Sequence, residues 1–182
     1  MQLAELSGLS LARERGVPLV SFCADPVIRS LNWPADVVEQ WLYDHGGKAA
    51  FLQDYGGLDL SSIVWDVEIV PLEAFLVMPT GPSDSGCIEE YAGHPDHWVR
   101  RRTTGIHRGV PQTWEAHGTW KRWPLLLDRR LLEPSATGLQ VVEGRTRVGV
   151  LRGRRSQGSF VAPRHLAWVG RPASSSATDP AS

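Results

Sequence analysis

Apolar residues recur at helical spacing through the first sixty positions. Leu3, Leu6, Leu9 and Leu11 alternate with Glu and Arg as far as Arg15, predicting a helix that Gly16 and Pro18 end. In ADVVEQWLYDH, Val37, Val38, Trp41 and Leu42 form one apolar face, with Pro34 where a helix start tolerates it and Gly46-Gly47 as the stop. KAAFLQDYGG predicts a further short helix closed by Gly56-Gly57. From Ile63 the pattern changes. IVWDVEIVPLEAFLVM is rich in β-branched and aromatic residues, with breaks at Pro71 and Pro79, and predicts one or two strands.

PTGPSDSG has the composition of turns and predicts either an ordered connection or a mobile lid. Glu89 to Gly118 predicts two or three short helices broken near Pro95, Gly109 and Pro111. WPLLLDRRLL predicts a strand, Glu133 to Gly138 a turn, LQVVE a second strand, and RTRVGVLRG a helix opening directly after Gly144. RGRRSQGSFVAPR follows as a basic loop, HLAWVG as a last strand, and RPASSSATDPAS as a disordered tail.

The chain of 182 residues is long enough for one compact domain with a small extension. A hydrophobic share of 42% and a charged share of 21% exclude general disorder. No apolar stretch nears the ~20 residues of a membrane span, and the first residues lack a basic segment followed by an apolar one, so a cytoplasmic protein is expected. Cys23 and Cys87 lie far apart without metal-like or redox-like spacing. The net charge of -1 conceals an acidic first half and a second half crowded with arginine, from Arg100–Arg102 to Arg164, which would attract anions. Of the eight tryptophans, Trp98, Trp114, Trp120, Trp123 and Trp168 fall in that basic half, where core packing is their default role.

The chemistry concentrates in LQVVEGRTRVGVL. A buried strand, one glycine and a helix follow in immediate succession, with Arg145 and Arg147 in the first helical turn. Unpaired N–H groups at a helix start and the positive end of the helix dipole bind phosphate, and arginines add charge-assisted hydrogen bonds. Gly144 permits a special backbone angle and a close approach of the ligand. Strand-glycine-helix turns are also common in α/β proteins, so the motif alone does not decide between a phosphate site and a structural turn.

Gly144-Arg145-Thr146-Arg147 fits the Gly-x-x-Arg turn of the ParB/sulfiredoxin-like superfamily, which the segment from about Val67 to Gly170 resembles. LQVVE matches the apolar strand before that turn, and His117-Gly118-Thr119-Trp120 followed by PLLLD resembles the preceding helix, glycine and strand. The resemblance implies an α/β (α+β) fold: a helical N-terminal extension over residues 1–62, a ParB/sulfiredoxin-like domain over 63–171 and a disordered tail over 172–182. It also implies a nucleoside triphosphate with Mg²⁺ as ligand. Gly144, Arg145, Thr146 and Arg147 would hold the phosphates, and Glu143, placed where some members carry an acid at the phosphates, would ligate Mg²⁺ or accept a proton. A Glu143 that only orients Arg145 or Arg147 is the alternative.

The family's reactions fit less well. No cysteine stands at the turn for sulfiredoxin chemistry, no helix-turn-helix region follows Gly170, and the second acid of a serine kinase has no clear place. Hydrolysis or transfer of a phosphoryl group and binding without turnover therefore stand side by side. Two other classes remain open: a non-catalytic interaction, immunity or accessory factor using the N-terminal helices or exposed tryptophans, and a nuclease-like protein acting on DNA. The run Arg152, Arg154, Arg155 and Arg164 favours the latter but brings no groove-reading motif. HPDH at His94 to His97 lacks a third metal ligand and predicts a helix start, and His107 and His117 are read as solvent-exposed, with a place in the cleft of the glycine turn as the alternative.

Overall fold

A computed structural model describes residues 1–101 and 104–173. In chain order they form a 3₁₀ turn (Leu3–Leu6), α1 (Ser7–Ser10), α2 (Leu19–Ala24), α3 (Pro26–Ser30) and α4 (Ala35–Val37), which continues as a π-helical stretch, Val38–Tyr43. Then come α5 (Ala49–Tyr55), β1 (Ile63–Pro71), α6 (Leu72–Val77), a 3₁₀ turn (Pro82–Asp84), α7 (Cys87–Gly93), α8 (Pro95–Arg101) and α9 (Val110–His117). The chain continues with β2 (Leu125–Asp128), β3 (Leu139–Glu143), α10 (Arg145–Ser156) and β4 (Arg164–Pro172). Among the described residues no helix is long and apolar enough to cross a membrane.

The four strands make one mixed sheet in the order β1-β4-β2-β3. β4 runs antiparallel to β1 and parallel to β2, and β2 is antiparallel to β3. Alternation along the strands sends side chains to two separate cores. Ile63, Trp65, Leu125, Leu127 and Val142 pack against the N-terminal helices, around Trp41, Leu42, Phe51 and Tyr55. Val70, Leu126, Val141, Ala167 and Val169 pack against the later helices, around Phe75, Trp114, Val148 and Leu151. β2 is buried throughout because it has a helical layer on each face. The α/β expectation thus holds as three layers, with residues 1–62 covering one face of the sheet around Ile63, Trp65, Leu125 and Leu127.

Several elements differ from their sequence reading. The first predicted helix divides into a 3₁₀ turn and the single turn α1. α2 and α3 form where no helix was expected. LEAFLV is helical because Pro71, at φ -67°, turns the strand off at its end, and Leu72 and Phe75, three apart, then reach the core together. α10 continues to Ser156, so RGRRS is not loop. β4 reaches Pro172 and the Ala173 N–H donates to the Ser62 carbonyl, so the edge of the sheet takes in the start of the expected tail. The rest of that tail, 174–182, lies outside the described residues.

PTGPSDSG is an ordered connection. The Ser83 hydroxyl donates to the Ala50 carbonyl at 2.9 Å and to the Asp54 carboxylate, and Asp84 pairs with Arg145.

Candidate functional site

The strand-glycine-helix turn forms where it was expected. Gly144 sits at φ +100° as the N-cap of α10, a conformation that favours glycine, and a Cβ there would lie 2.6 Å from Cβ of Pro124. The first helical hydrogen bond runs from the Val148 N–H to the Gly144 carbonyl, and no side chain caps the helix. The N–H groups of Arg145, Thr146 and Arg147 therefore have no intrahelical acceptor. A cleft of about 520 Å³ beside this helix start is lined by all five residues from Glu143 to Arg147.

The two arginines of the motif are already engaged. One Arg147 nitrogen donates to the carbonyls of Arg122 and Trp123 at 3.0 and 3.1 Å. The other donates to Gln40 Oε1 at 2.8 Å and Glu143 Oε1 at 3.0 Å. Burial lowers the pKa of this guanidinium from its ordinary value, and Glu143 counteracts the shift. The second Glu143 oxygen accepts the Gly144 N–H. Glu143 thus orients Arg147, and Arg147 fastens the turn to the N-terminal layer. Arg145 pairs with Asp84, and Thr146 lines the cleft with no hydrogen-bond partner among the described residues.

The opposite wall comes from the π-helical stretch and the residues after it, which the sequence reading took as helices and gave no part in the site. Gln40 is buried because it links layers: its amide donates to Asp36 at 2.8 Å and to the Trp123 carbonyl at 3.2 Å. Asp36 and Glu39 hold Arg122 at 2.7 and 2.6 Å. His45 stacks on Phe51 with ring centroids 5.9 Å apart, and its Nδ1 lies 2.9 Å from Lys48 Nζ. An ammonium can only donate, so Nδ1 accepts and the ring proton is on Nε2, 4.0 Å from Glu143 Oε1. Burial pulls the His45 pKa down to about 4, which Glu143 only partly opposes and Lys48 reinforces, so the ring is neutral at pH 7.

Lys48 and Lys121 are cleft cations with no carboxylate partner among the described residues; Lys121 donates to the Arg108 carbonyl at 2.7 Å. Tyr91, Trp98, Trp114 and Trp120 form an aromatic side, with Trp114 and Trp120 committed to the core.

His107 lines this cleft, as the alternative for it had it, and His117 is not among the lining residues. His94 to His97 spans the turn into α8, where Asp96 pairs with Arg154 at 2.9 Å. Among the described residues no group of three or more His, Cys, Asp or Glu is placed to hold a metal ion. In the basic run, Arg152 is bound by Glu89 and the carbonyls of Phe75 and Met78, so it and Arg154 are spent inside the fold. Both cysteines are free thiols.

No protein-family model, curated protein or solved structure matches this chain.

Proposed function

We propose that this chain is a nucleotide-binding protein of the ParB/sulfiredoxin-like kind, taking the phosphates of a nucleoside triphosphate at the start of α10. One observation carries the reading: an uncapped helix start lines a cleft whose walls also include Lys48, Lys121 and Thr146. These groups supply donors and positive charge without breaking an existing ion pair. The order β2, β3, glycine turn, α10 supports the family resemblance. Mg²⁺ would arrive on the phosphates and needs few protein ligands; Asp44 and Glu143 are the carboxylates lining the cleft.

Binding has more support than hydrolysis or phosphoryl transfer. Both Glu143 oxygens accept hydrogen bonds, one from a guanidinium, so the carboxylate is already committed to holding the turn.

A thermal-shift screen of ATP, CTP, GTP and UTP, with and without Mg²⁺, tests the reading. A nucleotide at a hundred times its Kd stabilises by about 2.7 kcal/mol, several degrees for a chain of this size. The shift should shrink in a Lys48→Ala/Lys121→Ala double variant. No shift with any nucleotide overturns the proposal.

A second reading, a non-catalytic interaction factor, is favoured by one surface feature. Val67, Ile69 and Leu166 are exposed together on β1 and β4, with Ile69 opposite Leu166 in the register and 65% accessible.

A further inference from the structure

His45 and Glu143 face each other across the cleft at a separation that neither a hydrogen bond nor a close ion pair explains. At 4.0 Å, Nε2 and Oε1 are too far apart to bond directly, but an oxygen atom in the cleft that both line could lie about 2.8 Å from each. The two sides offer opposite roles. Nε2 carries the ring proton and donates, because Lys48 occupies Nδ1. Oε1 accepts one hydrogen bond from Arg147 and has a lone pair left. The group that satisfies both is one that accepts once and donates once through the same oxygen, as a ligand hydroxyl or a water does.

We infer that His45 and Glu143 grip a hydroxyl of the bound ligand, so that the cleft takes a hydroxylated phosphate compound, a ribonucleotide in preference to its deoxy form. The inference rests on the phosphate reading of the α10 start. It goes beyond that reading in giving a specificity role to His45, a residue from the opposite layer of the molecule.

An attacking water would fit the same gap by size, but His45 cannot take its proton. Nε2 is already protonated, and moving that proton to Nδ1 would require displacing the Lys48 ammonium. Glu143 is held by Arg147 and by the Gly144 N–H. The pair is therefore built to hold an O–H group in place. His45 itself is fixed by Lys48 on one edge and by the Phe51 ring on its face, so the donor is oriented before the ligand arrives. Its neutrality at pH 7, a consequence of burial, leaves it a hydrogen-bond donor without a second charge.

Isothermal titration of the full chain with Mg²⁺ and the four ribonucleoside triphosphates, followed by the 2′-deoxy and 3′-deoxy forms of whichever binds, tests this. Removing the gripped hydroxyl leaves two polar groups unpaired, and one of the deoxy forms should bind about tenfold or more weakly. His45→Phe keeps the stacking on Phe51 and should bind the hydroxylated and deoxy forms alike, at the wild-type level for the deoxy form. His45→Gln keeps a donor and should restore part of the preference.

Equal affinity for all sugars in the wild type, with phosphate-dependent binding intact, overturns the hydroxyl assignment and leaves the nucleotide reading standing. So does a sugar preference unchanged in His45→Phe. Sugar-indifferent binding with a phosphate release that His45→Phe abolishes would give the gap to water and overturn it as well. Failure of every nucleotide to bind the wild type overturns both readings.

Discussion

Arg147 makes four hydrogen bonds, two to backbone carbonyls and one each to Gln40 and Glu143, and each of its partners loses something when it is removed. Arg147→Ala should cost about 3 kcal/mol of folding stability, since it strands a half-buried carboxylate and two carbonyls. Arg147→Lys should recover little, because one ammonium cannot reproduce a planar fork. Urea denaturation of the three proteins measures this, and unchanged stability in the alanine variant would return Arg147 to the ligand. The Gly-x-x-Arg spacing was legible in the sequence, because a strand, a glycine and a helix start are local signals. The assignment of Arg147 was not, because Gln40 lies 107 residues away along the chain. His45 and Lys48 were invisible for the same reason: they form a local pair on one segment, and only the packing of that segment against the sheet brings them to Glu143.

At the scale of elements, α10 lines the cleft with its first turn and packs along α7 and α8. Gly149 and Gly153, one helical turn apart, set that packing. A Cβ at Gly149 would lie 2.8 Å from the Ile88 carbonyl oxygen, and one at Gly153 would lie 3.0 Å from Pro95, with the Ala92 carbonyl closer still. Each glycine-to-alanine change should therefore destabilise by roughly 1–3 kcal/mol, because α7 and α8 must move away. Gly57, whose Cβ position is open, should tolerate alanine with little change. A loss at Gly149 no greater than at Gly57, measured by thermal unfolding, would contradict this packing. The glycines were in plain view in RTRVGVLRG, but a sequence pattern does not tell a helix that ends at glycine from one that uses glycine for close approach. α6 escaped for a related reason. PLEAFLVM continues an apolar run without a period that separates strand from helix, and the backbone direction set by Pro71 decided it.

The whole molecule has two cores on opposite faces of one sheet, and each contains a histidine held neutral. His45 belongs to the N-terminal layer beside the cleft. His165 on β4 is buried against Phe75 and Trp120 in the other layer, with the Thr119 hydroxyl 2.8 Å from its Nδ1. Burial pulls the pKa of each down from 6.5 to about 4. Between those values the unfolded chain binds protons that the folded chain does not, so folding stability is full above about pH 6.5 and falls as the pH drops toward 4. Each histidine would contribute on the order of 3 kcal/mol to that fall. Two such terms rival the 5–15 kcal/mol that holds an ordinary domain folded. Asp59, held at about 2 mainly by hydrogen bonds to its carboxylate, loses its contribution only at lower pH and does not obscure the window. Melting temperatures should thus decline steadily from pH 6.5 to 4. The decline should be roughly halved in His165→Gln and in His45→Gln, whatever either substitution does to stability at pH 7. Because the slope counts protons rather than contacts, a flat profile in the wild type would mean that both rings are charged in the folded state.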